Sequence, residues 1–72
     1  MYELRDTFND RTISRHRTLA KAARAELAHD RAVRRANGSS SYIPTEILLD
    51  GAAIDGNELD RARDAAYYVD HC

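Results

Sequence analysis

Apolar and polar residues alternate near the start of the chain, and a period of two is typical of a β-strand. Residues 2–8 follow this pattern with one polar interruption at Asp6. Residues 9–10 are Asn and Asp, which tolerate turn conformations, and residues 11–15 can return as a second, short strand. The start of the chain therefore predicts a β-hairpin.

A long run of strong helix formers without Gly or Pro follows this hairpin and predicts a helix over residues 19–36. Thr18 can cap its first turn, and Asn37 and Gly38 provide a stop. Successive residues of a helix are 100° apart around its axis, and on this spacing one face of the predicted helix contains small apolar side chains and one histidine. These residues are Ala22, Ala25, His29, Ala32, Val33 and Ala36, with His29 interpreted as a packed helix residue.

A second hairpin is predicted around Asp50 and Gly51, which form the best turn signal in the chain. Residues 42–49 alternate like a strand, although Pro44 restricts its beginning to an edge or a bulge. Residues 52–54 can pair back across the turn. We expect the strongest strand pairing here.

A final helix is predicted over residues 58–69, capped by Asp55 or Asn57. Its apolar stripe consists of Leu59, Ala62, Ala65, Ala66 and Val69. The element order is then β-β-α-β-β-α. This order predicts an α+β fold, a small antiparallel sheet of two hairpins with two helices packed on one face, as a single domain over residues 1–72.

Alanine dominates the apolar residues, with twelve Ala against six Leu, four Ile, two Val and one Phe. The core should therefore be thin, and stability should depend on helix packing, a partner or a second copy, so that a monomer or a homodimer is expected. No apolar run approaches the roughly 20 residues of a membrane span, and the charged N-terminus does not resemble a signal peptide. These features predict a cytoplasmic protein.

The net charge of -1 is a cancellation between the two halves of the chain. Residues 1–42 contain nine Arg or Lys against five Asp or Glu, which gives +4, and residues 43–72 contain two against seven, which gives -5. An extended field of one sign steers association and selects partners by complementarity. Each half is therefore a candidate recognition surface.

The acidic half is the first candidate for partner binding, because its carboxylates can stand where nucleic-acid phosphates would sit on a basic protein surface. Two tyrosines strengthen this hypothesis, since exposed tyrosines are favoured anchors of protein interfaces. The alternative interpretation is ordinary helix capping and solubility. The candidate residues are Asp50, Asp55, Glu58, Asp60, Asp64, Tyr67, Tyr68 and Asp70.

The basic segment over residues 15–35 is the second candidate, as a nucleic-acid-binding surface that contacts phosphates. The alternative interpretation is a solvated helix face on which Glu26 and Asp30 pair with their basic neighbours. Base stacking is not expected, because no aromatic residue lies within this segment. The candidate residues are Arg15, Arg17, Lys21, Arg24, Arg31, Arg34 and Arg35.

No residue set predicts catalysis, a cofactor or a metal site. Asp70, His71 and Cys72 include metal-binding side chains, but a zinc site needs three or four ligands in a fixed geometry. The single cysteine, Cys72, can at most join two copies through an intermolecular disulfide. We therefore expect no enzyme activity, no cofactor and no bound metal.

A short chain with ten Arg against one Lys, opposite charges in its halves and no catalytic set resembles the small proteins carried by bacteriophages and mobile elements of GC-rich bacteria. Among these it is similar to the anti-CRISPR proteins. The resemblance covers size and composition. The stretches 15–19 and 41–45 carry no family motif, so no functional residue is transferred.

This resemblance implies a stoichiometric inhibitor that occupies a nucleic-acid-binding or docking surface of a CRISPR effector complex in the bacterial host. We expect such an inhibitor to bind through the acidic C-terminal half. The alternative expectation is a small nucleic-acid-binding accessory protein or regulator that uses the basic helix.

Overall fold

The order of elements along the chain is the one that the sequence pattern predicts. The computed structural model describes residues 1–38 and 40–71, and for residues 69–71 only the backbone. The elements are β1 (Tyr2–Asp6), β2 (Arg11–His16), α1 (Leu19–Asn37), β3 (Thr45–Leu49), β4 (Ala52–Ala53) and α2 (Gly56–His71). The α+β fold with order β-β-α-β-β-α is confirmed.

Within the described residues, the four strands form one antiparallel sheet in the order β2-β1-β3-β4. β1 pairs with β3 over five residues, from Tyr2 with Leu49 to Asp6 with Thr45. β3 and β4 share only two residue pairs, so the prediction of the strongest pairing in this second hairpin is wrong. A tight turn brings two strands together locally, whereas the shared buried face of β1 and β3 extends their pairing over the whole of both strands.

The turn between β1 and β2 is organised by Asp6, which is fully buried. Its carboxylate accepts hydrogen bonds from the Phe8 amide at 2.9 Å and from the Asn9 amide at 3.0 Å. The Asn9 side-chain amide donates a third at 2.7 Å. The strand predicted over residues 2–8 therefore ends at Asp6, because residues 7–10 bend around this carboxylate.

Local signals set both ends of α1 as predicted. The Thr18 hydroxyl accepts a hydrogen bond from the Lys21 amide at 3.2 Å, which satisfies one of the free amides of the first turn. At the other end, Gly38 has φ of 109°, and its amide donates to the Arg34 carbonyl at 2.9 Å. This positive φ carries a steric cost for residues with a Cβ.

The hydrophobic core is thin, as expected. Its buried apolar residues are Leu4, Ala22, Ala23, Ile47 and Ala66. Tyr2, Ile13, Leu19, Ala25, Ile54, Leu59 and Ala62 pack around them and are partly buried.

The buried face of α1 is rotated from the predicted one. Ala22 is buried and Ala25, His29 and Val33 are half-buried, as predicted, but Ala23 is buried as well, and Ala32 and Ala36 are exposed. Alanine is apolar but is tolerated both in the core and on the surface. The sequence of a helix with many alanines therefore does not determine which face is packed. The sheet and α2 select the face that includes Ala23.

α2 begins after Asp55, whose side chain accepts a hydrogen bond from the Glu58 amide at 3.2 Å. Of the predicted apolar stripe, Ala66 is buried and Leu59 and Ala62 pack against the core, while Ala65 is exposed. The Val69 side chain lies outside the described residues. α2 lies along α1, and α1 lies against β1, β2 and β3.

The face of the sheet opposite Leu4 carries charges of both signs. Strand register places Glu3 opposite Arg15 and Arg5 opposite Glu46. The side chains of Glu3 and Arg5 have other partners, since the Thr12 hydroxyl donates to Glu3 and Arg5 pairs with Asp10. None of the helices in residues 1–38 and 40–71 is both long enough and apolar enough to span a membrane.

Candidate functional site

A cleft of about 430 Å³ opens between α1, α2 and the segment before β3. This volume lies within the range of roughly 300–1,000 Å³ that is usual for small-molecule pockets. Apolar, aromatic and charged side chains from these three parts of the chain line it. They are Ala23, Glu26, Leu27, His29, Asp30, Arg34, Tyr42, Ile43, Thr45, Arg63, Asp64 and Tyr67.

An ion pair between the two helices lies in this cleft. Arg63 donates from Nε to one Glu26 oxygen at 2.7 Å and from Nη2 to the other at 2.9 Å. The Thr45 hydroxyl donates to Glu26 at 3.0 Å, so β3 takes part as well. The hydrogen bonds to Glu26 raise the pKa of Arg63 above its usual range, against the opposite effect of partial burial. Glu26 therefore has its hydrogen-bonding capacity largely satisfied within the fold.

A second pair at the cleft joins Asp30 and Arg34, one turn apart on α1, at 3.1 Å. The expected local pairing on α1 is thus half correct. Asp30 pairs with a basic neighbour, but Glu26 turns to α2.

Two of the predicted acidic residues are engaged within the fold. Asp50 pairs with the N-terminal ammonium group, and Asp55 caps α2. Glu58, Asp60 and Asp64 are exposed on α2, and none of them forms an ion pair with a described side chain. The Asp70 side chain lies outside the described residues.

One side of α2 combines acidic and aromatic residues. Asp60, Asp64, Tyr67 and Tyr68 fall at i, i+4, i+7 and i+8, a spacing that places them on adjacent positions of the helix surface. Tyr67 is 49% exposed and Tyr68 is 64% exposed, and their rings make an edge-to-face contact at 5.9 Å. We call these four residues the acidic–tyrosine stripe. Asp64 and Tyr67 belong both to this stripe and to the lining of the cleft.

The predicted basic residues occupy several surfaces. Arg15 pairs in register with Glu3 and therefore lies on the outer face of the sheet, away from α1. Arg17 is exposed before α1, and Arg34 lines the cleft. Four residues remain on one side of α1, at i, i+3, i+10 and i+14. We call them the basic stripe, and they are Lys21, Arg24, Arg31 and Arg35.

No family model, curated protein or solved structure matches this chain.

Candidate metal ligands do not cluster in the described part of the chain, where no group of three or more His, Cys, Asp or Glu could hold an ion. His29 lines the cleft and is half-buried. His16 shares a hydrogen bond of 2.7 Å with the Ser14 hydroxyl. Cys72, the one residue that could join two copies through a disulfide, lies outside the described residues.

Sequence reasoning did not find the cleft. Glu26 and Arg63 are 37 positions apart, and Tyr42 lies two residues before Pro44 in a segment that the pattern predicts as strand. The one usable signal was Glu26 itself, an acidic residue one turn from buried Ala22 and Ala23 on α1. A carboxylate close to a packed face requires a partner, and the sequence does not indicate which arginine supplies it.

Proposed function

We propose that this protein is a non-enzymatic inhibitor that binds a partner protein through the acidic–tyrosine stripe of α2. The observation that carries the proposal is the exposure of Tyr67 and Tyr68 beside two carboxylates that form no ion pair with described side chains. Four of the five aromatic residues are exposed, and Tyr67 and Tyr68 are the two whose rings lie side by side on one helix. They favour an interface in which the rings become buried.

The charge of the stripe determines the kind of partner. Asp60 and Asp64 lie one turn apart on the same side of α2, so a complementary surface would be basic. Basic protein surfaces commonly bind nucleic-acid phosphates, and carboxylates on a helix can occupy the same positions. Inhibition then follows from occupancy, because a bound inhibitor excludes the nucleic acid.

The partner class is taken from the resemblance in size and composition to anti-CRISPR proteins. A CRISPR effector complex has basic channels for guide and target strands, which fits an acidic ligand. Its inhibitor would act in the cytoplasm of the bacterial host. Asp50 and Asp55 contribute less than the stripe in this proposal, since the N-terminus and the first turn of α2 engage them.

The test measures binding to purified, guide-loaded CRISPR effector complexes by biolayer interferometry, with and without target DNA. We expect wild type to bind and excess target DNA to compete. Asp60→Lys and Tyr68→Ala should each weaken binding at least tenfold. Glu58→Lys is the matched control on the same helix, because it makes the same charge change outside the stripe, and it should change binding less than threefold.

Two results would overturn this proposal. Equal effects of Asp60→Lys and Glu58→Lys would show that overall charge, and not the stripe, controls binding. Absence of binding to every effector type tested would remove the CRISPR assignment.

We keep a nucleic-acid-binding accessory protein as the second candidate because of one observation on the basic stripe. Lys21 and Arg24 form no ion pair with any described side chain. Fluorescence anisotropy with duplex DNA and with RNA at low salt tests this candidate. Tight binding that weakens steeply with salt and is lost in Lys21→Glu/Arg24→Glu would favour it over the inhibitor.

A further inference from the structure

The cleft beside the acidic–tyrosine stripe is lined by apolar and by aromatic side chains. Ala23, Leu27 and Ile43 supply apolar surface, and Tyr42 and Tyr67 supply aromatic rings. Tyr42 is 67% exposed, so together with Tyr67 it offers ring surface that an incoming group can cover. The cleft therefore combines surface for a hydrocarbon chain with surface for a cation.

The charged side chains that line the cleft favour a positively charged ligand. The carboxylate of Glu26 is held by Arg63 and Thr45, and that of Asp30 is held by Arg34. Both arginines that could attract an anion thus already face a carboxylate. Asp64 is the remaining acid, exposed and without an ion pair to any described side chain.

We infer that this cleft binds one arginine side chain of the partner protein, with its methylene groups on Leu27 and Ile43 and its guanidinium between Asp64 and the tyrosine rings. The inference rests on the proposed function for the origin of the arginine. Arginine fits better than lysine, because a planar guanidinium stacks on aromatic rings and is more weakly hydrated than an ammonium group. The cleft would thus bind one specific side chain of the partner, and the acidic–tyrosine stripe would form the contacts around it.

The test needs no partner protein. The full chain, labelled with ¹⁵N, is titrated with the capped tripeptide acetyl-Gly-Arg-Gly-amide and followed by NMR. The matched peptide with citrulline has nearly the same shape and no charge. We expect saturable shifts at Leu27, Asp64 and Tyr67 with the arginine peptide, and binding of the citrulline peptide weaker by roughly threefold or more.

Matched variants locate the site. Asp64→Asn should weaken the arginine peptide about threefold, whereas Asp60→Asn, one turn away and outside the cleft, should leave affinity within about 1.5-fold. Tyr67→Ala and Tyr68→Ala form a second pair, in which only the first should weaken binding. The same spectra report whether each variant remains folded.

Absence of saturable shifts in the cleft, equal binding of both peptides, or equal effects of Asp64→Asn and Asp60→Asn would overturn the inference. These outcomes differ from failure of the proposed function. If effector binding depends on Asp60 and Tyr68 but the arginine peptide does not bind, the inhibitor remains and the arginine cleft is wrong. If the peptide binds and no effector does, the cleft remains and the CRISPR assignment is wrong.

Discussion

Asp6 is the clearest case of one residue determining local structure. It is a fully buried carboxylate that accepts three hydrogen bonds from Phe8 and Asn9, and Arg11 approaches it to 3.9 Å. The Asn9 side chain makes the largest contribution to lowering the pKa of Asp6 below its ordinary value of 3.8, against an opposing effect of burial. Folding therefore favours the charged form of this residue.

The lowered pKa predicts how acid affects stability. The unfolded chain binds a proton at Asp6 more readily than the folded one, so the stabilisation is fully present above the unfolded pKa and is lost as pH falls through the folded pKa. Asp6→Asn should remove this dependence. Urea denaturation of wild type and variant at about pH 7 and about pH 2.5 measures it.

The control for this prediction is Asp10→Asn, in the same turn. The Asp10 side chain is 89% exposed, and asparagine tolerates its positive φ of 52°. This variant should lose stability on acidification as wild type does. The prediction is contradicted if Asp6→Asn and wild type lose equal free energy of unfolding between the two pH values.

At the scale of elements, the Glu26–Arg63 pair fixes α2 against α1. The Glu26 side chain is 14% exposed and that of Arg63 is 39% exposed, so the pair is only partly screened by water. Glu26→Gln keeps the shape but cannot reproduce two charge-assisted hydrogen bonds. We expect a loss of about 1–2 kcal/mol in the free energy of unfolding, below the value for a fully buried pair because Arg63 is partly exposed.

Asp30→Asn is the matched comparison, since it breaks an exposed pair one turn apart on α1. Its cost should be below about 0.5 kcal/mol. Chemical denaturation of both variants measures the difference. Combining Glu26→Gln with Arg63→Gln should cost less than the sum of the single changes, and strict additivity would show that the two residues do not interact.

The sequence predicts correctly those elements whose ends are determined by residues a few positions away. Thr18, Gly38 and Asp55 act within one helical turn, and the turn at Asp50 involves adjacent residues, so their neighbours suffice to predict them. The pairing of β1 with β3 joins residues about 40 or more positions apart, from Asp6 with Thr45 to Tyr2 with Leu49. It follows from which apolar faces meet, which no short window of sequence contains.

The site was predicted less completely than the fold, for the same reason. The residues of the acidic–tyrosine stripe could be placed on one helix by spacing alone, so their common surface was foreseeable. The cleft depends on how α1, α2 and the segment before β3 approach each other. Arg15 illustrates the opposite error. It is close in sequence to Lys21 and Arg24 and is grouped with them in the sequence analysis, but it lies on the other side of the sheet.

For the whole molecule, stability depends on the few large side chains that are buried in the described part of the chain. Among the side chains that the structure describes, Leu4 and Ile47 are the buried apolar residues larger than alanine, and they face each other across β1 and β3. Domains of this length have roughly 0.05–0.15 kcal/mol of stability per residue, or about 4–10 kcal/mol in total. One core truncation therefore removes a large part of the total.

We expect Leu4→Ala to destabilise the protein by about 3 kcal/mol and to lower Tm strongly. Leu49→Ala is the control, because Leu49 lies on the same face of the sheet and is 39% exposed. Its cost should be below about 1 kcal/mol. Thermal unfolding followed by circular dichroism compares them, and equal Tm values for the two variants would contradict the proposed core.

The buried alanines of the core limit which substitutions the protein can accept. Ala22, Ala23 and Ala66 are buried where the helices and sheet meet, so a single methyl group sets the spacing between layers at each of these points. A larger side chain would force the layers apart, and glycine would loosen the helix. Variation is therefore confined to the outward surfaces of α1 and α2, where new charges or aromatic groups can alter partner choice without disturbing the spacing beneath.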